Sequence, residues 1–167
     1  MPIKHQENIS DPLIWKMLGI VRQLLPIEDL DQLLRAGVEL PRQILGVERC
    51  ALWLLNVDGA SFRGTWGTDI KGCTTDERLQ ICTLADLERT LSQPFQSLEG
   101  WLLRHDDARL TWTPAGTKIE GSGWNTIIPL TGREGNVGAF FQAAAITNSA
   151  YDPHLQDLMS VYCSILG

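Results

Sequence analysis

The segment from Cys50 to Asp69 constrains the fold of this chain more than any other part of the sequence. A continuous apolar run, Cys50–Val57, is followed by Asp58-Gly59 and then by smaller, more polar residues. Asp-Gly favours a tight turn, because glycine adopts positive φ at little cost. The apolar run does not alternate with polar residues, so both faces of its strand should be covered. The segment therefore predicts a β-hairpin inside a two-sided core.

The size and charge of the chain limit its function classes. With 167 residues, one domain can bury roughly 70% of the surface exposed by the unfolded chain. The net charge of −6 argues against a nucleic-acid-binding surface, which is normally basic. No apolar run approaches the roughly 20 residues that span a bilayer. The four cysteines form no Cys-x-x-Cys pair, which favours reduced thiols in a cytoplasmic protein.

Helical periodicity marks both ends of the chain. After a polar lead-in, residues 1–28 contain an amphipathic helix over Asp11–Leu25, and a second helix begins near Asp29 or Asp31 and ends at Gly46. Pro41 interrupts this second helix, which predicts a kink after Gly37. Asp152–Leu166 is a third amphipathic segment. We expect residues 29–167 to form one domain that the first helix precedes.

The sequence predicts the secondary structure of the middle of the chain less clearly. Thr74 and Glu77 fit a helix capping box, while residues 77–84 are compatible with helix or strand. Asp86–Leu91 should be a short helix. Residues 101–104 and 110–113 are expected to be strands around a turn at 105–107, and residues 114–123 a loop. A later hairpin joins residues 124–130 to 137–146, and its Pro129 belongs at a sheet edge or bulge. This order indicates an α+β domain with an antiparallel sheet.

Several strings in this order resemble the GAF family of sensor domains. Arg49–Leu55 after its helix is similar to the family's first strand, and Ile128-Pro129-Leu130 with Gly135–Phe141 is similar to its late hairpin. The strings Gly64–Asp69, Asp76-Glu77-Arg78 and Gly123-Trp124 look closest to GAF domains of bacterial signalling proteins, and Tyr151-Asp152-Pro153 opens a similar closing helix. The likeness covers residues 29–166.

The resemblance implies a PAS-like architecture and a regulatory role. We expect a central antiparallel sheet of about six strands, helices on one face and a loop-roofed pocket on the other. Such domains often serve as input modules of a histidine kinase, a cyclic-dinucleotide enzyme or a transcription regulator. No kinase nucleotide site, Gly-Gly-Asp-Glu-Phe string or DNA-reading helix is found in the sequence.

Departures from the family pattern limit the classes of ligand that the sequence predicts. Cys73 and Cys82 are each followed by Thr, whereas bilin-carrying GAF domains have Cys followed by His. The charged motif of cyclic-nucleotide-binding members is also absent. We therefore expect no covalent cofactor and a small molecule that binds reversibly.

Aromatic and polar residues supply the candidate pocket. Glycines allow close backbone approach in Gly64–Asp69, while an indole and oxygen-bearing side chains offer stacking and hydrogen bonds. Each of the tryptophans has an alternative place in the core. The predicted ligand-binding residues are Trp66, Thr68, Asp69, Arg78, Trp112, Trp124 and Thr126.

Two other chemistries are weighed against ligand sensing. A minority of GAF proteins reduce free methionine sulfoxide with cysteines, and Cys73 or Cys82 near Lys71 or Arg78 offers an analogous thiolate. The sequence lacks that group's Gly-Val-Cys-Gly-like string, and unpaired cysteines are usually inert hydrophobes. The three histidines are far apart in sequence and predict no metal site.

The terminal helices offer a dimer interface. Apolar residues recur at helical spacing on both, so two copies would form a four-helix bundle, while packing on the domain's own sheet is the competing arrangement. The predicted interface residues are Ile14, Leu18, Val21, Leu25, Leu155, Leu158, Tyr162 and Ile165. The sequence thus predicts a dimeric, non-catalytic sensory domain that signals through its terminal helices. A thiol-dependent reductase and a ligandless dimerisation module remain the alternatives.

Overall fold

The residues that the structure describes contain four α-helices and ten β-strands. The computed structural model describes residues 11–69, 71–105, 109–113, 116–120, 123–144 and 149–167, with the backbone alone at residues 90, 104, 105, 109–113 and 116–120. The helices are α1 (Pro12–Leu24), α2 (Leu30–Leu40), α3 (Leu84–Leu91) and α4 (Pro153–Leu166). The strands are β1 (Arg49–Leu55), β2 (Ser61–Gly64), β3 (Trp66–Thr68), β4 (Thr74–Asp76), β5 (Ile81–Thr83), β6 (Leu102–His105), β7 (Arg109–Thr113), β8 (Gly116–Glu120), β9 (Trp124–Gly132) and β10 (Gly135–Ala143).

Six strands form the central antiparallel sheet, in the order β5-β2-β1-β10-β9-β6. The remaining four strands pair as two separate hairpins, β3 with β4 and β7 with β8. The predicted α+β class and the six-stranded antiparallel sheet are confirmed.

One face of the sheet packs against α1, α2 and α4. Alternate residues of β1, β9 and β10 point to this face, because successive side chains along a strand alternate in direction. Leu52, Ile128 and Phe140 meet buried residues of the helices there, among them Ile20 and Met159. Since α1 shares this core, the described part of the segment before residue 29 packs with the rest of the chain.

The opposite face packs against α3 and a 3₁₀ turn at Phe95–Ser97. Trp53 is fully buried on this side and lies beside Phe141 in an edge-on arrangement with ring centroids 6.1 Å apart. The Phe62 ring meets Phe95 at 5.1 Å. β1 is therefore covered on both faces, as its unbroken apolar pattern predicts.

The first hairpin forms, but with a longer connection than a two-residue turn. Residues 56–60 link β1 to β2, and Gly59 adopts a positive φ of 62°. The Asp58 carboxylate accepts hydrogen bonds from the backbone N–H groups of Ala60 and Ser61. The second strand ends at Gly64, and the chain then leaves the central sheet as β3.

The helix boundaries largely match the sequence pattern. Asp11, Asp29 and Asp152 cap α1, α2 and α4 with their side-chain oxygens. The regular helix α2 ends at Leu40, and Pro41 opens a π-helical turn over Pro41–Leu45, so the helical pattern changes at the proline instead of continuing to Gly46.

Three predictions for the middle of the chain are wrong or resolved differently. Thr74 starts strand β4 rather than capping a helix, and Thr83 caps α3 instead. Residues 81–83 form a strand and residues 84–91 the helix. β6 and β7 do not pair with each other, since β6 pairs with β9 and β7 with β8, so much of the expected loop 114–123 is strand β8.

The late hairpin forms between β9 and β10, but its connection is shorter than predicted, since Gly132 pairs with Gly135 and only residues 133–134 link the strands. A bulge lies between Asn136 and Gly138, and the predicted strand positions 145 and 146 lie outside the described residues. Pro129 pairs with Ala139 of β10 on one side. On its other side, the described part of β6 reaches only residues 124–127 of β9. Pro129, which has no N–H to donate, therefore occupies an edge position, in agreement with its chemistry.

None of the helices in the described ranges combines the length and apolar composition needed to cross a lipid bilayer.

Candidate functional site

A cavity of about 300 Å³ lies where the central sheet meets the β3–β4 hairpin. Its walls come from β1, β9 and β10 on the sheet side and from β3, β4 and the segment after β4 on the other. The lining residues are Arg49, Cys50, Ala51, Thr68, Asp69, Thr75, Glu77, Gln80, Asn125, Thr126, Phe141, Gln142 and Ala143.

Side-chain hydrogen bonds hold β3 beside β1 and thereby shape the cavity. The Thr65 hydroxyl donates to the Leu52 carbonyl at 2.7 Å, and the Thr68 hydroxyl donates to the Cys50 carbonyl at 3.0 Å. The Arg49 Nε donates to the Thr68 carbonyl at 2.7 Å. Both threonines are buried, and the Leu52 carbonyl also accepts the backbone N–H of Thr65 at 3.0 Å, so backbone and side-chain bonds together fix β3 next to β1.

Glu77 is the buried carboxyl of the site. Its side chain is 7% exposed, and its Oε2 accepts a hydrogen bond from the Trp53 indole nitrogen at 3.1 Å. Burial raises the pKa of Glu77 to about 7, while the Trp53 hydrogen bond and the charge of Arg49 act in the opposite direction. The carboxyl is therefore divided between its charged and neutral forms near neutral pH.

Two glycines make room for Glu77. A Cβ at Gly67 would overlap both carboxyl oxygens of Glu77, and a Cβ at Gly64 would overlap its backbone carbonyl. The glycines of the Gly64–Asp69 string thus serve the close approach of a buried acid. The prediction from the sequence, that these glycines allow the close approach of a ligand, is therefore replaced by a structural role.

Asp69 lines the cavity but uses its carboxylate within its own loop. Oδ1 accepts from the backbone N–H groups of Cys73 and Lys71, each at 2.8 Å. These bonds, with that of Cys73 first, hold the pKa of Asp69 below its usual range. The side chain consequently fixes the chain direction after β3.

Thr126 connects the cavity wall to α4. Its hydroxyl donates to Oε1 of Gln156 at 3.1 Å, and both side chains are fully buried. Gln142, which is paired with Thr126 across β10 and β9, is 2% exposed and also lines the cavity. A buried polar connection thus joins the two central strands at the cavity to the C-terminal helix.

Trp66 and Arg78, both predicted ligand-binding residues, lie together against α2 and do not line this cavity. The Trp66 indole donates to Asp31 at 3.0 Å. The guanidinium carbons of Arg35 and Arg78 lie 5.0 Å and 5.3 Å from the centre of its ring. The indole therefore attaches the β3–β4 hairpin to α2.

The other predicted aromatic residues also lie away from the cavity lining or outside the description. Trp124 is buried next to Tyr151, with ring centroids 5.6 Å apart, and its indole donates to the Ser149 carbonyl. Trp112 belongs to β7, and its side chain lies outside the described residues. Thr68, Asp69 and Thr126 are the predicted ligand-binding residues that the structure brings together at the cavity.

Sequence reasoning missed Glu77, Arg49, Asn125, Phe141 and Gln142. Glu77 stands between Asp76 and Arg78, and such a charged triplet normally indicates a solvated turn. The signal that points to it is the pair of glycines at positions 64 and 67, which lack side chains where the chain passes from β2 to β3 and so leave room for a neighbouring residue. A single sequence does not reveal which residue fills that space.

The cysteines show no activated thiolate at the cavity. Cys50 lines it, but its thiol donates to the Val38 carbonyl and burial raises its pKa to about 12. Cys73 is exposed and Cys82 is buried, with its thiol on the Thr83 carbonyl. The described residues contain no group of three or more His, Cys, Asp or Glu side chains that could hold a metal ion.

The predicted interface residues divide between surface and core. The buried residues of α1 are Met17, Ile20 and Leu24. The predicted interface residues Leu18, Val21 and Leu25 each follow one of them in the sequence and therefore face away from the core. Leu18 and Leu25 are 42% and 75% exposed. Ile14, Val21, Leu155 and Leu158 are partly buried, and Ile165 is 49% exposed.

Tyr162 belongs to the core and is a correction to that set. It is fully buried, and its hydroxyl donates to the Gly37 carbonyl at 2.8 Å. Its neighbour Val161 is 54% exposed and takes its place on the outer face of α4. A groove of about 200 Å³ runs along this surface and is lined by Val21, Leu24, Leu25, Ile27, Leu33, Ile165 and Leu166.

Comparisons with known proteins identify the fold. No family model matches the chain, and no curated protein matches it in sequence. Among solved structures, the GAF domain of a phosphoenolpyruvate-protein phosphotransferase from Acinetobacter is similar, with a TM-score of 0.67 and 14% identity over 95% of this chain and 92% of that one.

Two further solved structures share the architecture. The GAF domain of a putative sensor histidine kinase from Pseudomonas syringae pv. tomato has a TM-score of 0.56 and 12% identity over 92% of this chain and 81% of that one. The phycocyanobilin-bound GAF domain of a cyanobacterial phytochrome has a TM-score of 0.61 and 10% identity over 95% and 93%. The chain described here therefore has the fold of a GAF domain.

Proposed function

We propose that this chain is a non-catalytic sensory domain that binds a small molecule reversibly in the β1–β9–β10 cavity and reports its presence through the terminal helices. The observation that carries the proposal is the cavity, lined by charged, polar and apolar residues, next to a buried hydrogen bond from Thr126 to α4. A ligand that displaces β9 or β10 would alter this contact, and so would change the balance between two positions of α4.

The similar structures support a role in bacterial signal transduction. Their GAF domains come from a phosphotransferase, a putative sensor histidine kinase and a phytochrome. We propose a cytoplasmic setting and an output such as a histidine kinase or a cyclic-dinucleotide enzyme. The cavity lies near the lower end of the range for small-molecule sites, which favours a compact non-covalent ligand over a tetrapyrrole.

The terminal helices carry a second part of the proposal, which is a homodimer. Leu18 and Leu25 of α1, with Val161 and Ile165 of α4, expose apolar surface that a twofold mate would cover. A dimer through these helices would place the moving element, α4, at the interface. The same surface supports the second candidate, a dimerisation module without a ligand.

An NMR titration separates the two candidates. The ¹⁵N-labelled chain is mixed with the small-molecule fraction of a bacterial extract, and the backbone amides of Gly67 and Thr68 report on the cavity. A sensory domain should show shifts there and also along α4 near Gln156. Unmoved cavity amides, together with a stable dimer, would contradict ligand binding and favour the dimerisation module.

Variants of the polar connection test signal transfer. Thr126→Val removes the hydroxyl that donates to Gln156, so the shifts in α4 should shrink while those at Gly67 and Thr68 persist. Thr131→Val, at an exposed residue of β9 outside the cavity lining, is the matched control and should keep the α4 shifts. Equal α4 shifts in the Thr126→Val variant and the unaltered protein would contradict the proposed route.

A further inference from the structure

We propose that Glu77 makes the cavity selective for a small organic cation with N–H donors, such as a protonated amine or an amidinium group. The inference rests on the proposed sensory function and adds the chemical class of the ligand.

The carboxyl of Glu77 is held in place by the surrounding backbone. Gly67 lies so close to the carboxyl, and Gly64 so close to the backbone carbonyl of Glu77, that a side chain at either position would collide with Glu77. Trp53, itself fully buried, fixes one carboxyl oxygen through its indole N–H. An acid that is buried, oriented and exposed only towards a cavity has the features of a recognition group.

The charges in the cavity lining leave Glu77 as the acceptor available to a ligand. Asp69 already binds two backbone N–H groups of its own loop, and the Arg49 Nε binds the Thr68 carbonyl. Among the described residues, the carboxyl of Glu77 accepts one hydrogen bond, which comes from the uncharged indole of Trp53, while the charge of Arg49 also acts on it. A carboxylate can accept several hydrogen bonds, and those from charged donors are the strongest.

The aromatic wall of the cavity fits the same ligand. Phe141 lines the same cavity as Glu77 and is 8% exposed. Aromatic rings attract cations through their negative faces, most strongly where water is excluded. A carboxyl and an aromatic side chain in one small cavity therefore favour a cation over an anion of equal size.

A bound cation would also offset the cost of burying the charge of Glu77. Burial raises the pKa of Glu77 to about 7. The described charged or titratable residues in the lining are Arg49 and Cys50 of β1 and Asp69 after β3, and the lining residues of β4, β9 and β10 are uncharged. Amine affinity should therefore rise between pH 6 and pH 8, where Glu77 ionises and an alkylamine with a pKa near 10 stays protonated.

The test uses ligands of one shape and three charges. Benzamidine and benzylamine are the cations, benzamide is the neutral counterpart, and benzoate is the anion. Each is titrated into the ¹⁵N-labelled full chain, and dissociation constants are taken from the amides of Gly67 and Thr68. The cations should bind at least roughly tenfold more tightly than benzamide, since hydrogen bonds to charged groups are the stronger class.

Two variants assign the preference to Glu77. Glu77→Gln keeps the shape and an oxygen for Trp53, and should weaken cation binding roughly 10- to 100-fold. Glu28→Gln, at an exposed carboxyl before α2, is the matched control and should bind like the unaltered protein. Circular dichroism of each variant verifies that the fold is kept.

The outcomes separate this inference from the proposed function. Benzamide or benzoate binding as tightly as the cations, with shifts at the same amides, would overturn the inference and leave the sensory function standing. Cation binding that is unchanged in Glu77→Gln would also overturn it. If no probe moves these amides, the inference fails, and the sensory function fails with it only if the bacterial extract leaves them unmoved as well.

Discussion

The burial of Glu77 predicts how the stability of the protein depends on pH. The pKa of this carboxyl rises from an ordinary value of 4.5 in the unfolded chain to about 7 in the folded chain. Between these values the folded protein keeps a proton that the unfolded chain loses, so stability falls as pH rises through this window. The gap between the two pKa values corresponds to about 3 kcal/mol.

Glu77→Gln should remove this dependence, because the amide does not ionise and can still accept the Trp53 hydrogen bond. Urea denaturation followed by circular dichroism at pH 5 and pH 8 gives the free energy of unfolding of both proteins. Between these two pH values, the unaltered protein should lose roughly 2 to 3 kcal/mol relative to the variant. Glu77→Gln should thus be the more stable form at pH 8.

Other titrating groups do not affect the difference in stability between the unaltered protein and Glu77→Gln. His154, whose pKa is raised by its contact with Asp11, titrates equally in both proteins and cancels in the difference. Glu28→Gln is the charge-matched control and should follow the unaltered protein within about 0.5 kcal/mol. If Glu77→Gln also runs parallel to the unaltered protein within that margin, the carboxyl is not buried as described and the reasoning is refuted.

Three further changes test the site, the core and the surface. Gly67→Ala should destabilise the fold by about 1–3 kcal/mol in urea denaturation, because its methyl group would overlap the Glu77 carboxyl. Gly19→Ala, at a position with open space around it, should be neutral or slightly stabilising. Equal effects of the two substitutions would contradict the close approach of Gly67 to Glu77. Tyr162→Phe should cost about 1 kcal/mol by the same measurement, through loss of the hydrogen bond to Gly37, and no cost would argue against that bond. The double variant Leu18→Lys, Ile165→Lys should be a monomer in light scattering, while the unaltered protein is a dimer. Leu79→Lys, at a residue that is 98% exposed and lies away from the terminal helices, should remain dimeric. A monomeric unaltered protein would contradict the proposed dimer.

Much of the fold follows from the sequence, because the strong signals are local. Asp-Gly at the first hairpin, the aspartate caps of three helices and the apolar runs of β1 and β9 each depend on near neighbours in the chain. The hairpin of β7 and β8 was missed because its second strand contains glycine, lysine and glutamate, which are typical of loops. The partners of β6 and β7 depend on contacts between distant segments.

The site was harder to predict because its residues come from segments far apart in the sequence, which meet where the central sheet faces the β3–β4 hairpin. Glu77 is buried only because β3 leaves the central sheet after Gly64, and nothing in a charged triplet indicates that. Trp66 has the composition of a pocket residue, but its indole lies against α2 because Asp31 supplies a hydrogen-bond acceptor there. In both cases the direction of one side chain was decided by a neighbour far away in sequence.

The most direct test of ligand binding at this cavity is native mass spectrometry of protein purified from its own host. The account predicts a small adduct that is present under native conditions, is released on denaturation, and is lost in Ala143→Leu, which fills the cavity wall. Ala150→Leu, at an exposed residue outside the cavity, should retain the adduct. An adduct that persists equally in Ala143→Leu, or identical native and denatured masses for the unaltered protein, would contradict the account.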